Sequence, residues 1–515
     1  MPFFRTLLIG LALLPQQTPT SPANPIDAWF GGVWSRASVT PGPASDDGAL
    51  FRRITLDLFG RLPTPDEIRA FTADRATDKR ARLVDRMLAA DECAEFLSDV
   101  WLDALIDHSV VAQDFGRTDL GPFRRWLRTQ FYEDAPYDGM VRALLSDRGA
   151  RREVPAVNFA LKHLGTDPVP VKLAVMSARL FLAKDIRCAQ CHDHPFVPLT
   201  QEEFWGYTAF FRPLNRNRGG LGENEADPSG PLRDDLGEMR GVAPRFLDGR
   251  KAPEGKRLGE ALADLTLTTK EKDCSKALVD RMWRHFFGRR LITTPTAAGQ
   301  DGLADALAAD FEKQGWSVRR LMRTIVSSKA YQLSSAGKEA ARALYASGPL
   351  KPMGPIQFMR VYNDVFNLHE VWREGWKTVQ ESETAGEQFK DPEVMKLLFY
   401  TWARDLLLPK GRDPEEDPAY GTPRMAMKFM NNQRVQAMIN AYWLPSMLGK
   451  ILSKKFKTPE RVEEIFLSLV SRPPTRGERA EFVEYVQGRP SFEGKKPFED
   501  VMWVLLNSSE FIFIH

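Results

Sequence analysis

The chain is 515 residues long, with 43% hydrophobic, 10% aromatic and 27% charged residues. Those proportions exclude a disordered, collagen-like or small disulfide-stapled protein and leave room for two or three domains. Lysine plus arginine (71) against aspartate plus glutamate (68) leaves a net charge of +3, too little to build a phosphate-binding surface by composition, so no nucleic-acid partner is expected.

From the N-terminus, Arg5 precedes the apolar run Leu7 to Leu14, and Pro15 opens a Pro/Thr/Ser/Gln stretch that ends at Ala23. Residues 1–23 read as a secretory signal segment. The run is far short of the roughly 20 residues that cross a bilayer, and no later run reaches that length, so the mature chain is expected to lack a transmembrane segment and to be secreted or periplasmic. The nearest cysteine is Cys93, too distant for a lipid-anchored N-terminus. Residues 24–46 read as a flexible N-terminal stretch.

Beyond it the dominant period is helical. Thr64-Pro65-Asp66-Glu67 places a capping threonine before a first-turn proline, with a glutamate three residues after the cap, which predicts a helix start with Ile68 and Phe71 on one face. Leu83, Val84, Met87 and Leu88 repeat a buried stripe, as do Leu321, Met322, Ile325 and Val326. Alternating strand-like runs are scarce, so the fold class is mainly α: two helical domains, over 47–214 and 260–515. Between them 215–259, dense in Gly, Pro and charge, reads as a linker or long loop; a second Pro-rich stretch, 409–423, reads as a loop. An internal echo aligns ITLDLFGRLPTPDEIRAF (54–71) with IFLSLVSRPPTRGERAEF (465–482), matching Arg61 with Arg472, Thr64 with Thr475 and Glu67 with Glu478. It reads either as a duplicated helical hairpin or as two well-capped hairpins of general type.

Only four cysteines and seven histidines occur in the chain. Two of each fall in Cys188-Ala189-Gln190-Cys191-His192-Asp193-His194-Pro195. Composition alone would place one C-x-x-C-H string in such a chain on the order of 4 × 10⁻⁴ times. Two cysteines three apart on a helical turn match the separation of the two vinyl groups of a haem, and the adjacent histidine can then ligate the iron. On this reading Cys188 and Cys191 carry a haem c, His192 is the proximal iron ligand, and the role is electron transfer or redox sensing with a partner cytochrome. Two other readings stand beside it. One is a structural or redox disulfide within an extracellular scaffold or interaction protein. The other is a transition-metal site that adds His194, in a metal-dependent enzyme acting on polysaccharide or another exported substrate.

Around the motif, 171–184 reads as an amphipathic helix, and Thr200-Gln201-Glu202-Glu203 has the capping-box form that starts a helix carrying Phe204, Trp205, Tyr207, Phe210 and Phe211. Those aromatics read as ordinary core or as the wall of a porphyrin. Met176, His163, His108 and His285 are candidates for a sixth iron ligand. The arginines of 281–290 read as a solvated helix face or an anion site. Cys93 and Cys274 read as an interdomain disulfide or as buried thiols. No phosphate loop, G-x-S-x-G elbow or H-E-x-x-H string occurs, so no hydrolase signature is present.

The stretches LFRRITLDLFGRLPTPDEIRAF, RLVDRMLAADECAEFLSDVWLDAL and IRCAQCHDHPFVPLTQEEFWGYTAFF resemble the planctomycete cytochrome c-associated domain of unknown function. KALVDRMWRHFFGRRLI, DFEKQGWSVRRLMRTIVSSKAYQLSS and WVLLNSSEFIFIH resemble its usual tandem partner, also of unknown function. The resemblance covers roughly residues 47–515 and carries the family motif onto Cys188, Cys191, His192, Asp193, His194 and Pro195 without departure. It implies an exported protein associated with cytochromes and no defined enzymatic activity.

Overall fold

The computed structural model describes residues 24–106, 120–164, 170–217, 219–224, 231–233, 239–292, 301–368, 438–442 and 445–515, with the single positions 377, 381, 430 and 436. Residues 1–23, expected as a signal segment, residues 409–423, expected as a loop, and His108 lie outside the described residues.

The fold is mainly α. In chain order the first helices are α1 (Pro25–Arg36), α2 (Asp47–Phe59), α3 (Pro65–Ala73), α4 (Lys79–Leu88), α5 (Asp91–Ile106), α6 (Leu120–Tyr132), α7 (Tyr137–Ser146), α8 (Val157–His163), α9 (Val171–Leu182) and α10 (Gln201–Thr208). After them come α11 (Leu258–Leu267), α12 (Asp273–Phe287), α13 (Asp301–Lys313), α14 (Val318–Val326), α15 (Lys329–Gln332), α16 (Glu339–Ala343) and α17 (Pro355–Phe366). The C-terminal group is α18 (Met447–Ser453), α19 (Thr458–Val470), α20 (Arg476–Gln487), α21 (Lys496–Leu506) and α22 (Ser509–Ile512). Side-chain caps set many of the starts. Asn24 accepts from the Ile26 amide at 3.0 Å and Asp46 from the Ala49 amide at 2.8 Å, while Thr64 with Glu67 and Thr475 with Glu478 form complete capping boxes.

Two stretches differ from the sequence expectation. Residues 24–46, expected to be flexible, contain α1, which buries Ile26, Phe30, Val33 and Trp34; the Trp34 indole also donates to the Leu344 carbonyl at 2.9 Å. Residues 215–259, expected as a linker or long loop, contribute to two small antiparallel sheets. β1 (Gly149–Ala150), β2 (Leu214–Arg216) and β3 (Gly220–Glu223) pair in the order β1-β3-β2, and β4 (Pro231–Arg233) pairs with β5 (Met239–Gly241). The few apolar residues there serve as anchors: Leu221 and Phe246 are buried, the latter against Tyr207.

Packing forms two hydrophobic clusters. The larger runs from Ile26 to Ala346, with Leu467 added from the C-terminal part, and so joins helices on both sides of 215–259, with α7 against α11 and α9 against α12. The smaller is built from α17 to α22 and includes Leu56 and Leu62 from the N-terminal part of the chain. α2 lies between the clusters. It gives Leu50, Phe51, Ile54, Leu58 and Phe59 to the first and Leu56 to the second, and every residue from Leu50 to Phe59 is buried.

A helix buried on all sides must find partners for its polar side chains, because an uncompensated buried charge is strongly destabilising. Arg52 donates to the carbonyls of Leu469 (2.7 Å), Glu510 (3.2 Å) and Phe511 (3.0 Å), and Arg53 to those of Tyr331 and Leu333 (3.0 Å). The twin arginines thus satisfy carbonyls at the ends of α22 and α15, two short helices that each follow a Ser-capped turn after a longer helix.

The internal echo is structural as well. Arg61 binds both Glu67 oxygens (2.9 and 3.0 Å) through its terminal nitrogens and Glu92 through Nε (2.6 Å). Arg472 binds both Glu478 oxygens (2.8 and 2.9 Å) and, through Nε, Glu510 (2.6 Å). The residue before each arginine, Gly60 at φ 67° and Ser471 at φ 60°, closes the preceding helix in the left-handed region. In both copies a planar guanidinium fork ties the capping glutamate of one helix to the first turn of another.

Candidate functional site

The C-x-x-C-H motif lies on the surface between α9 and α10. A 3₁₀ turn over Arg187–Gln190 carries Cys188, and Cys191 ends it. Both cysteines are exposed free thiols, and Ala189 between them is fully buried and anchors the turn in the larger core. The His192 Nδ1 lies 2.7 Å from the Asp193 carbonyl. A carbonyl only accepts, so Nδ1 carries a proton and, in the neutral ring, Nε2 keeps the lone pair.

The loop that follows is closed by its own hydrogen bonds. The His194 amide donates to the Leu199 carbonyl at 2.8 Å, and His194 Nδ1 accepts from the amides of Phe196 (3.1 Å) and Val197 (3.3 Å). His194 therefore holds the turn with the nitrogen nearest the chain. Asp193 Oδ1 accepts from the Gln201 amide at 2.8 Å, at the first turn of α10, and the Gln201 side chain donates to the Gln190 carbonyl at 3.0 Å. Thr200 and Glu203 complete the α10 capping box.

The aromatics of α10 and of the 3₁₀ turn that follows it are core. Phe204, Trp205, Tyr207, Phe210 and Phe211 are all buried, and they root the helix that flanks the site. The apolar surface beside the motif is instead Phe196, 90% exposed, and Val197, 49% exposed. Cys188, Cys191 and His192 fit the attachment chemistry of a c-type haem, two thioethers and one imidazole nitrogen, whereas an apolar wall around the motif is not built from α10. For a bare ion the donors do not converge: among the described residues no group of three or more His, Cys, Asp or Glu side chains is placed to hold a metal.

The remaining candidates are engaged elsewhere. His163 Nε2 lies 2.6 Å from the Leu105 carbonyl and His285 Nε2 lies 2.8 Å from the Asp57 carbonyl; His163 is buried and His285 half-buried against Phe96 and Phe286. Met176 packs half-buried against the same core. Arg289 stacks on the Tyr345 ring at 3.7 Å and donates to the Arg342 carbonyl, so this member of the 281–290 arginines caps α16. Cys93 and Cys274 are buried free thiols, not a disulfide, and burial pushes the Cys93 thiol up to about 12.

A second polar cluster, which the sequence reading did not single out, surrounds Asp57 on α2. Its carboxylate accepts from Lys351 Nζ (2.7 Å), the Tyr331 hydroxyl (2.8 Å) and Gln357 Nε2 (3.1 Å), all buried. Burial holds Lys351 below the ordinary lysine range, with Asp57 opposing, and lifts the Tyr331 hydroxyl well above the tyrosine range. His285 is lowered to about 4 by burial and then by the Lys351 charge. Largely buried, the cluster joins α2, α12, α15 and α17. The signal for it was present in LFRRITLDLF, where charged residues interrupt a helix that is otherwise apolar on every side.

Residues 25–216, which hold both the motif and the first Arg-Glu hairpin, match the family PSCyt2, described as a protein of unknown function (DUF1549). Residues 258–354, from α11 to the Lys351 strand, match PSD1, likewise a protein of unknown function (DUF1553). No curated protein and no solved structure matches the chain. Among the described residues no helix is long and apolar enough to cross a membrane. The two matches, in this order along the chain, place it in the family of proteins that carry these two domains of unknown function in tandem.

Proposed function

We propose that the protein is an exported electron-transfer or redox-sensing protein that carries a c-type haem on Cys188, Cys191 and His192, and that a second redox protein exchanges electrons with it. The observation that carries this reading is the combination of two exposed free thiols with a histidine whose Nδ1 is bonded to the Asp193 carbonyl. Attachment requires reachable thiols, since each S–H adds across one vinyl group, sulfur bonding to one carbon and hydrogen to the other with no oxidant consumed. Axial ligation requires an Nε2 lone pair, and the bond at Nδ1 supplies it by setting the tautomer. When bound, the group would supply one-electron exchange, its potential tuned by the axial ligand and by hydrogen bonding around it.

The chain's own part is to hold these three residues. The buried Ala189 pins the turn, α10 with its core aromatics fixes the loop, and Phe196 with Val197 offers apolar surface beside the thiols. An extracellular address favours the chemistry, because thioether attachment is completed outside the cytoplasm. The test is export of the full chain from a host with c-type maturation, followed by denaturing electrophoresis and mass spectrometry. The expected result is a covalently bound Soret chromophore that adds one haem in mass and is lost in Cys191→Ala. A colourless wild-type protein whose mass shows two thiols or one lost pair of hydrogens overturns the reading.

A further inference from the structure

His192 is exposed, and nothing in its own turn explains why its ring should hold one tautomer. The constraint comes from the next residue. Asp193 uses both of its oxygen-bearing groups at once: its carbonyl receives the His192 Nδ1–H at 2.7 Å, and its carboxylate receives the Gln201 amide at 2.8 Å. The first amides of a helix have no partner within the helix, so a carboxylate placed there gains a charge-assisted bond and a favourable interaction with the helix dipole. Gln201 closes the arrangement from the other side, its side-chain amide donating to the Gln190 carbonyl at 3.0 Å, just before Cys191. The motif is therefore bridged to the start of α10 on both flanks, and α10 is held by the buried rings of Phe204, Trp205 and Tyr207.

We infer that Asp193 is the positioning residue of the motif: by tying its carboxylate to the α10 start it orients its own carbonyl, which locks His192 in the Nδ1–H tautomer and presents Nε2 for ligation, with Gln201 as its companion clamp. The inference rests on the haem reading for its consequence at iron and stands on the apoprotein for its effect on the imidazole. A free imidazole favours the opposite tautomer, so the lock is directly readable. A firm bond at Nδ1 also makes the imidazole a stronger donor, which stabilises the oxidised iron.

The test uses the full chain in both forms. In the thiol form, long-range ¹⁵N–¹H correlation of His192 reads the tautomer; in the matured form, spectroelectrochemistry reads the midpoint potential at equal haem content. The expected result is an Nδ1–H tautomer in wild type, its loss in Asp193→Ala with a rise in midpoint potential, near-wild-type behaviour in Asp193→Asn, which keeps an acceptor oxygen, and a smaller change in Gln201→Ala. A wild-type His192 in the Nε2–H tautomer, or Asp193→Ala with an unchanged tautomer, overturns the inference whether or not haem is attached. A coloured wild type with the expected tautomer but an Asp193→Ala potential equal to its own overturns the consequence at iron and leaves the haem reading standing. A colourless wild type sinks the haem reading alone, since the tautomer measurement still decides the clamp.

Discussion

Removing both members of the Asp57–Lys351 pair should destabilise the chain hardly more than removing one. The pair is 2.7 Å apart with both side chains buried, and Tyr331 and Gln357 donate to the same carboxylate. Breaking a buried ion pair leaves an uncompensated charge and costs about 3–5 kcal/mol. Losing the Tyr331 bond to an ionised acceptor adds about 1.5–3 kcal/mol, partly overlapping with it. Asp57→Leu and Lys351→Met should therefore each cost about 4 kcal/mol. In the double variant neither member is left as an unpaired buried charge, so the total should stay near that of one single variant, an interaction energy on the order of 3 kcal/mol. The assay is urea unfolding followed by tryptophan fluorescence, in which about 4 kcal/mol moves the midpoint down by roughly 1.3 M at a slope of about 3 kcal/mol/M. Additive losses in the double variant would show that the two groups do not stabilise one another and would refute the account of α2 as a helix held by paired buried charge.

Two further outcomes follow from the same geometry. His285 is lowered to about 4 in the folded chain, below the unfolded value near 6.5, so the unfolded chain binds the extra proton between those values and stability falls as pH drops from about 6.5 to about 4, by roughly 3 kcal/mol in all. His285→Gln, which keeps a donor for the Asp57 carbonyl, should flatten stability over that window, and an unchanged pH profile would contradict it. In protein made without haem maturation, an aromatic disulfide reagent should titrate Cys188 and Cys191 promptly, and Cys93 and Cys274 only on unfolding, because the first two are exposed and the last two buried. Four equally reactive thiols, or none, would be inconsistent with this structure.

Much of the local structure was legible. The capping boxes at Thr64, Thr200 and Thr475 start helices where the sequence places them, since a threonine and a glutamate three residues later satisfy each other's backbone partners without help from the rest of the chain. The echo of 54–71 in 465–482 extends to the ion pairs of Arg61 and Arg472, because the arginine-to-glutamate spacing of six residues is itself part of the motif. Less legible was where each helix goes. α1 was hidden by its short polar surroundings, and the aromatics of α10 could be read as core or as a cofactor wall until packing placed them in the core.

By itself the sequence determined a mainly α chain, its family, and the place of its C-x-x-C-H motif, because periodicity, caps and motif spacing are properties of neighbouring residues. Tertiary structure decided which helix is central and what holds the motif. Arg52, Arg53 and Asp57 find partners some 270 to 460 residues away, and Asp193 finds Gln201 only because the loop folds back onto α10. Such partners are chosen by burial, which makes every polar group seek whichever donor or acceptor the packed core brings within reach, and no spacing along the chain records that choice.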